Sequence, residues 1–332
     1  MTVPRLFRPG QAARLAPGAA ALLVCGMLGG CALPGAGPPY VAQYSHGALV
    51  DQPAGLPASA HVQGVPFYAD DRSYCGPASL ASVLRFSGVP TTPQQLVPQV
   101  YTSKLDGTLQ YDMLGATRRA GRVAYVIAPK LSALFAQVAD GIPVVVLQKV
   151  GLGSGDWHFA VVTGYDLRAD AVTLHSSTAR DLVMSIDQFD RSWAQGQRWG
   201  FVALEPEQFP AGVTEFDALR AIAPLERVAP EAARQAYAAA LQRWPHAWIA
   251  MMGLGNLAYA RKDYARAAIH FAQASRAHPN DGDPLNNLAQ ALLAAGDLHA
   301  AQDTIAQAIR LGGPQLAVYK KTQAEIERAM RP

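Results

Sequence analysis

The sequence predicts an α+β domain followed by an all-α repeat domain. Three observations carry this. Between residues 64 and 207 helical periodicities come first and strand-like apolar runs later, which is the order of an α+β fold and not of alternating βαβ units. After residue 214 the chain repeats with a period of 34 residues. A lone internal cysteine, Cys75, stands where a loop becomes a helix.

The first domain is expected over residues 64–207. Its first helix should begin near Cys75, because Pro77 is tolerated in a first turn, where its missing N–H has no intrahelical partner. Leu80, Val83 and Leu84 follow at helical spacing, and Gly88 with Pro90 ends the element. Further helices are expected near 93–101, 110–120 and 131–139. Strands are expected at Val123–Ile127, Val144–Val150, Phe159–Tyr165, Val172–Ser176 and Gly200–Leu204.

The second domain is expected over residues 214–332. Pro245 and Pro279 are 34 residues apart. Between them lie Leu254, Gly255, Ala267, Phe271 and Ala274, and 34 residues later come Leu288, Ala289, Ala301, Ile305 and Ala308. Ala233, Tyr237 and Ala240 fit one unit earlier. This spacing resembles the tetratricopeptide repeat, two antiparallel helices per unit. Small residues allow close helix approach and the Phe or Ile fills the gap between helices. A final helix from Ala317 to Met330 would cap the array. Such arrays bind proteins or peptides, and no residue in this one reads as catalytic.

Residues 1–30 read as an export signal: Arg5, Arg8 and Arg14 precede an apolar run from Ala19 to Leu28. The run is shorter than the ~20 residues of a membrane span. Leu28-Gly29-Gly30-Cys31 resembles a bacterial lipobox, which implies lipidation of Cys31. Ala32 after it implies an outer-membrane address facing the periplasm. Residues 31–63, rich in Pro and Gly, read as a tether behind the lipidated cysteine, with a reach on the order of 100 Å when extended. The chain has 28 Lys+Arg and 25 Asp+Glu, and loss of the three signal arginines leaves the signs equal. That balance lacks the basic footprint of a nucleic-acid binder.

Cys75 then has no internal disulfide partner. At a helix N-terminus the dipole and free N–H groups favour a thiolate, so it is a candidate nucleophile. His158 is the candidate base, because it opens an apolar run after the Gly151–Gly155 loop. His175 is the other histidine of the strand-rich region, while His46 and His61 fall in the tether and His246, His270, His278 and His299 in the repeats. The glycine loop is no phosphate cradle: no Gly-Lys-Ser/Thr follows it and it leads into a strand. No Cys/His metal spacing is present and no cofactor is implied. If strands 158–165 and 171–178 form a hairpin, residue 176 lies opposite residue 160, on the face of His158. Ser176 is thus the candidate for orienting the imidazole, with Asp156, Asp166 and His175 as alternatives.

The segments Val65-Pro66-Phe67-Tyr68, Cys75-Gly76-Pro77-Ala78-Ser79 and His158-Phe159-Ala160-Val161-Val162-Thr163-Gly164-Tyr165 resemble the bacteriocin-processing (double-glycine leader) peptidase family of the papain-like superfamily. The whole chain is similar to bacterial lipoproteins described as cysteine peptidases. The resemblance implies a papain-like fold, a Cys75/His158 pair and hydrolysis of peptide bonds. The family has a glutamine before the cysteine that donates to the oxyanion. Here that stretch is Ala69-Asp70-Asp71-Arg72, which puts Asp70 on the oxyanion side, and Ser176 stands where the family has Asp. Loss of one oxyanion donor costs about 10²–10³ in rate in a protease. Three readings follow: a lipid-anchored envelope cysteine peptidase whose repeats bind a protein or peptide, a degenerate peptidase-fold adaptor, and a thiol enzyme acting on cell-wall peptides.

Overall fold

The computed structural model describes residues 40–331 apart from 46, 71 and 152–155. The signal segment, Cys31 and most of the 151–155 glycine loop therefore lie outside the described residues. In chain order the main strands and helices are β1 (Ser59–His61), α1 (Cys75–Phe86), α2 (Pro93–Val100), α3 (Gln110–Arg119), β2 (Val123–Val126), α4 (Leu131–Ala139), β3 (Val144–Val150), β4 (Asp156–Asp166), β5 (Ala171–Ser176), β6 (Ala179–Met184), α5 (Ile186–Gln195) and β7 (Gly200–Leu204). The helical region adds α6 (Glu215–Ile222), α7 (Leu225–Val228), α8 (Pro230–Arg243), α9 (Trp248–Ala260), α10 (Tyr264–Ala277), α11 (Gly282–Ala295), α12 (Leu298–Leu311) and α13 (Leu316–Ala329).

The strands form one antiparallel seven-stranded sheet in the order β6-β5-β4-β3-β7-β2. β4 is long enough to pair β3 over its first half and β1 over Gly164–Asp166 on the same edge. The first domain is thus α+β, with helices α1 to α3 before most of the sheet, and the second is all-α.

α1 is a core helix. Its residues from Cys75 to Leu84 are all buried. Alanines and serines let it lie close to β4, and Ser82 returns its hydroxyl to Ala78 O at 3.0 Å. β3, β4 and β7 contribute near-continuous apolar runs, including Val144, Val145, Val146, Ala160, Val162, Phe201 and Val202. α5 packs Ile186, Phe189 and Trp193 at helical spacing, and Ser185 caps it by accepting from Gln188 N.

Part of the stretch expected to be a tether is folded. β1 joins the sheet, Val62 N–H donates to Thr163 O at 2.7 Å, and Gln43 Oε1 accepts from Leu131 N at 2.7 Å. Leu49 and Val62 are buried. The Pro and Gly residues break periodicity, which hid a three-residue strand whose partner, Gly164–Asp166, lies far downstream.

In the repeats, small residues sit under aromatic rings. A Cβ on Gly255 would meet the Phe271 ring and one on Gly253 the Tyr237 ring. Asp263 and Asp297 cap α10 and α12 by accepting from the backbone N of Arg266 and Ala300. Among the described residues no helix is long and apolar enough to cross a membrane.

Candidate active site

Cys75 is the first residue of α1. The last β4–β5 pair is Val161 with His175. Beyond it the Phe159 N–H donates to Cys75 Sγ at 3.5 Å, so the sulfur takes the place of a ladder partner at the end of the hairpin. Burial pushes the thiol pKa up, and the negative charge of Asp70 pushes the same way. The N–H groups of Phe159, Gly76 and Cys75 itself oppose this without overcoming it. A helix N-terminus favours the thiolate, but desolvation here outweighs it.

His158 lies on β4 and is 6 % exposed. Its Nε2 is 3.0 Å from Ser176 Oγ. The Val161–His175 pairing puts Ser176 across from Ala160, one diagonal step from His158. This contact occupies Nε2 and leaves Nδ1 for a second partner. Burial pushes the imidazole down to about 4. Near neutral pH the structure therefore holds a neutral thiol and a neutral ring. Among the described residues no direct Cys75–His158 hydrogen bond is present.

The other candidates fall elsewhere. His175 faces Val65 O through Nε2 at 3.2 Å and accepts from Asp181 N at 3.4 Å through Nδ1. Its ring therefore holds the segment that leads to Cys75. Asp166 accepts from the N–H groups of Arg168 and Ala169 and shapes the β4–β5 turn. Asp156 lines the cavity that contains Cys75. Asp70 is buried. Its N–H donates to Ser177 O at 3.2 Å, and Ser177 Oγ donates to Asp70 O at 3.4 Å. Its charge bears on the thiol as a destabiliser of the thiolate.

A cavity of about 840 Å³ opens on Cys75, walled by Leu147, Trp157, Phe159, Gln195 and the 105–110 loop. Asp70, Phe67 and Tyr74 line a second one of about 670 Å³. The 105–110 loop presses Thr108 against Gly76 so closely that a Cβ at position 76 would overlap it. Sequence reasoning missed this loop, the Phe159 N–H and the α5 end at Gln195–Gly196. For α5 the signal was available, as Ser185, Asp187 and the 186/189/193 apolar spacing mark a capped amphipathic helix. Among the described residues no group of three or more His, Cys, Asp or Glu could hold a metal ion.

Several solved structures are similar to this chain. A C39-like peptidase from Bacillus anthracis is 18 % identical over 44 % of this chain and 97 % of its own, with a TM-score of 0.38. A double glycine motif protease from an AMS/PCAT transporter, solved with its leader peptide, is 19 % identical over 43 % and 93 %, with a TM-score of 0.33. The peptidase domain of Streptococcus ComA, a bifunctional ABC transporter of a quorum-sensing pathway, is 22 % identical over 43 % and 98 %, with a TM-score of 0.36. No curated protein matches the chain. Residues 39–199 match the Peptidase_C39 like family and residues 216–282 match the tetratricopeptide repeat, so the chain carries a Peptidase_C39-like domain followed by tetratricopeptide repeats.

Proposed function

We propose that this protein is a cysteine peptidase held at the bacterial envelope by a lipid on Cys31, with its repeats binding a protein or peptide. The observation that carries the reading is the Phe159 N–H at 3.5 Å from Cys75 Sγ, which brings β4 to the start of α1 one residue away from His158, whose ring is held by Ser176 at 3.0 Å. Cys75 Sγ attacks the scissile carbonyl carbon as its proton passes to His158. The carbonyl oxygen becomes an oxyanion, and the Cys75 backbone N–H at the start of α1 is the donor at hand. Collapse breaks the C–N bond, and His158 returns the proton to the departing amine. Water, deprotonated by His158, then hydrolyses the thioester and restores the thiol. Ser176 holds the ring through Nε2. As a neutral hydroxyl it orients the imidazole but stabilises the imidazolium less than a carboxylate does.

The peptide ligand of the double glycine motif protease supports a peptide substrate here. The adaptor reading is favoured by one observation: Asp70, in place of an oxyanion donor, opposes the thiolate.

Labelling of the chain from residue 32 with an electrophilic peptide tests the reading. Wild type should label faster than a free thiol, and Cys75→Ala and His158→Ala should both lose this. Labelling no faster than free cysteine would leave the adaptor.

A further inference from the structure

Three large apolar side chains are exposed on the cavity that holds Cys75. β3 and β4 pair Leu147 with Phe159 and Lys149 with Trp157, and directly paired residues share a face of the sheet. Leu147, Phe159 and Trp157 all line the cavity. Phe159 is buried, but Trp157, the residue before His158, is 55 % exposed. Leu105 and Leu109 line the same cavity and are 59 % and 47 % exposed. Large apolar side chains exposed singly are ordinary, but three on one cavity beside a candidate nucleophile mark a binding surface.

The loop that carries the two leucines is anchored. Tyr101 pairs with Thr108 and Thr102 with Gly107 in a short hairpin, and Tyr101 Oη donates to Asp106 Oδ1 at 2.6 Å. Thr108 rests against Gly76, the neighbour of Cys75, so the loop is held at the start of α1. The charge of the cavity is one-sided. Asp106 and Asp156 line it, and among the described residues no Lys, Arg or His does. Lys149 stands next to it, with Nζ 5.5 Å from the centroid of the Trp157 ring, where its ammonium is engaged with the indole. A ligand carboxylate in the cavity would lose water and meet two like charges.

We propose that this cavity binds a peptide through a large apolar side chain, such as Leu or Phe in place of Gly, that Trp157, Leu105 and Leu109 select it, and that Asp and Glu are disfavoured at that position. That the selected side chain falls close to the bond attacked by Cys75 rests on the peptidase reading; the binding itself does not.

The test uses full-length protein carrying Cys75→Ala, so that binding is read without cleavage. Fluorescein-labelled hexapeptides of Gly and Ser with one central residue, Phe, Leu, Gly or Glu, are titrated by anisotropy. The Phe and Leu peptides should bind about tenfold or more tightly than the Gly peptide, and the Glu peptide no more tightly than the Gly peptide. Trp157→Ala should bring the Phe and Gly peptides to within about threefold of each other, and Leu109→Ala should narrow the same gap. Trp157→Phe should keep the preference. No saturable binding of the Phe or Leu peptide, equal binding of the Phe and Gly peptides, a Glu peptide tighter than the Gly peptide, or a preference that survives Trp157→Ala would each overturn the proposal. If an electrophilic peptide labels wild-type Cys75 no faster than a free thiol while these preferences hold, the peptidase reading falls and the binding site stands.

Discussion

Ser176→Asp puts a carboxylate where a hydroxyl now lies 3.0 Å from His158 Nε2. Burial holds the His158 ring down to about 4 and the Cys75 thiol up, so both are neutral near pH 7. A charge about 4 Å from the imidazolium contributes about 4 kcal/mol at an effective dielectric constant of about 20. That equals about 3 pKa units as an upper value, and Ser176 is only half-buried, so water screens part of it. The expected rise is about 1–3 units, which moves His158 from about 4 towards the range of about 5–7. An imidazolium beside the thiol in turn favours the thiolate. The assay is the rate of Cys75 alkylation by iodoacetamide between pH 4 and 10. Cys75 is the one cysteine of the sequence beyond residue 31, so the chain from residue 32 reports a single thiol. Wild type should show one rise at or above the ordinary thiol range of about 8.5. Ser176→Asp should add an acidic shoulder and raise the rate at pH 7 about tenfold or more. Ser176→Ala should keep the wild-type shape. Superimposable profiles for wild type and a folded Ser176→Asp would refute the account of Ser176 as the partner of the ring. A wild-type plateau from pH 5 to 8 would refute the neutral pair.

His158 also makes stability depend on pH. Its folded value, about 4, lies below its ordinary 6.5, so the unfolded chain binds more protons in that window. Its contribution is full above about 6.5 and falls away as pH drops towards 4, by about 3 kcal/mol. Urea midpoints measured at pH 4 to 7 should fall less steeply for His158→Gln, and equal slopes would place the effect elsewhere. Gly76→Ala would put a Cβ 2.5 Å from Thr108 Cβ. It should cost about 1–3 kcal/mol and lower the melting temperature by several degrees. Thr108→Gly in the same chain should restore most of the loss, and no recovery would mean that Thr108 is not the obstacle. In hydrogen exchange α8 should be better protected than α12 and α13. Ala233, Ala236, Tyr237 and Ala240 of α8 belong to the large core, whereas Ile305 and Ile326 belong to a small separate cluster. Uniform protection would contradict this.

What the sequence shows of this fold is mostly local. The start of α1 is written in Cys-Gly-Pro, because proline in a first turn and a glycine under a crowding loop are constraints within one turn. The β4–β5 register could be read from the spacing of two strands around a short turn, since the strand period fixes which side chains share a face. β1 was not legible, because three residues between prolines carry no period and their partner is far away in the chain. β6 reads ARDLVM, an edge with a register shift, and shows no alternation. At the site, the choice between His158 and His175 rests on which partners each ring meets, and neighbouring sequence does not carry that. Nor does it carry the burial that raises the thiol pKa. The helix N-terminus predicts a lowered value, and only the packed surroundings reverse the sign.

The join between the two domains bears on how the repeats can serve the cleft. The 205–214 segment is not a free linker. Gln137 brackets Ala211, donating to its O at 3.1 Å and accepting from its N at 3.0 Å. Tyr125 Oη donates to Gln208 O, and Phe209 packs edge-on against Trp244 of the helical region. One apolar cluster runs without interruption from the sheet, through Tyr125 and Phe201, into Leu219, Ile222, Leu225 and Tyr237. A hinge would need few apolar contacts, and although Glu205, Glu207, Gln208, Gly212 and Thr214 are exposed, the apolar contacts across this join are continuous. The first repeat helices are therefore fixed relative to Cys75. Under the proposed function, a protein held on the repeats would be presented at one attitude, and the choice of scissile bond would be made partly by distance along the bound chain.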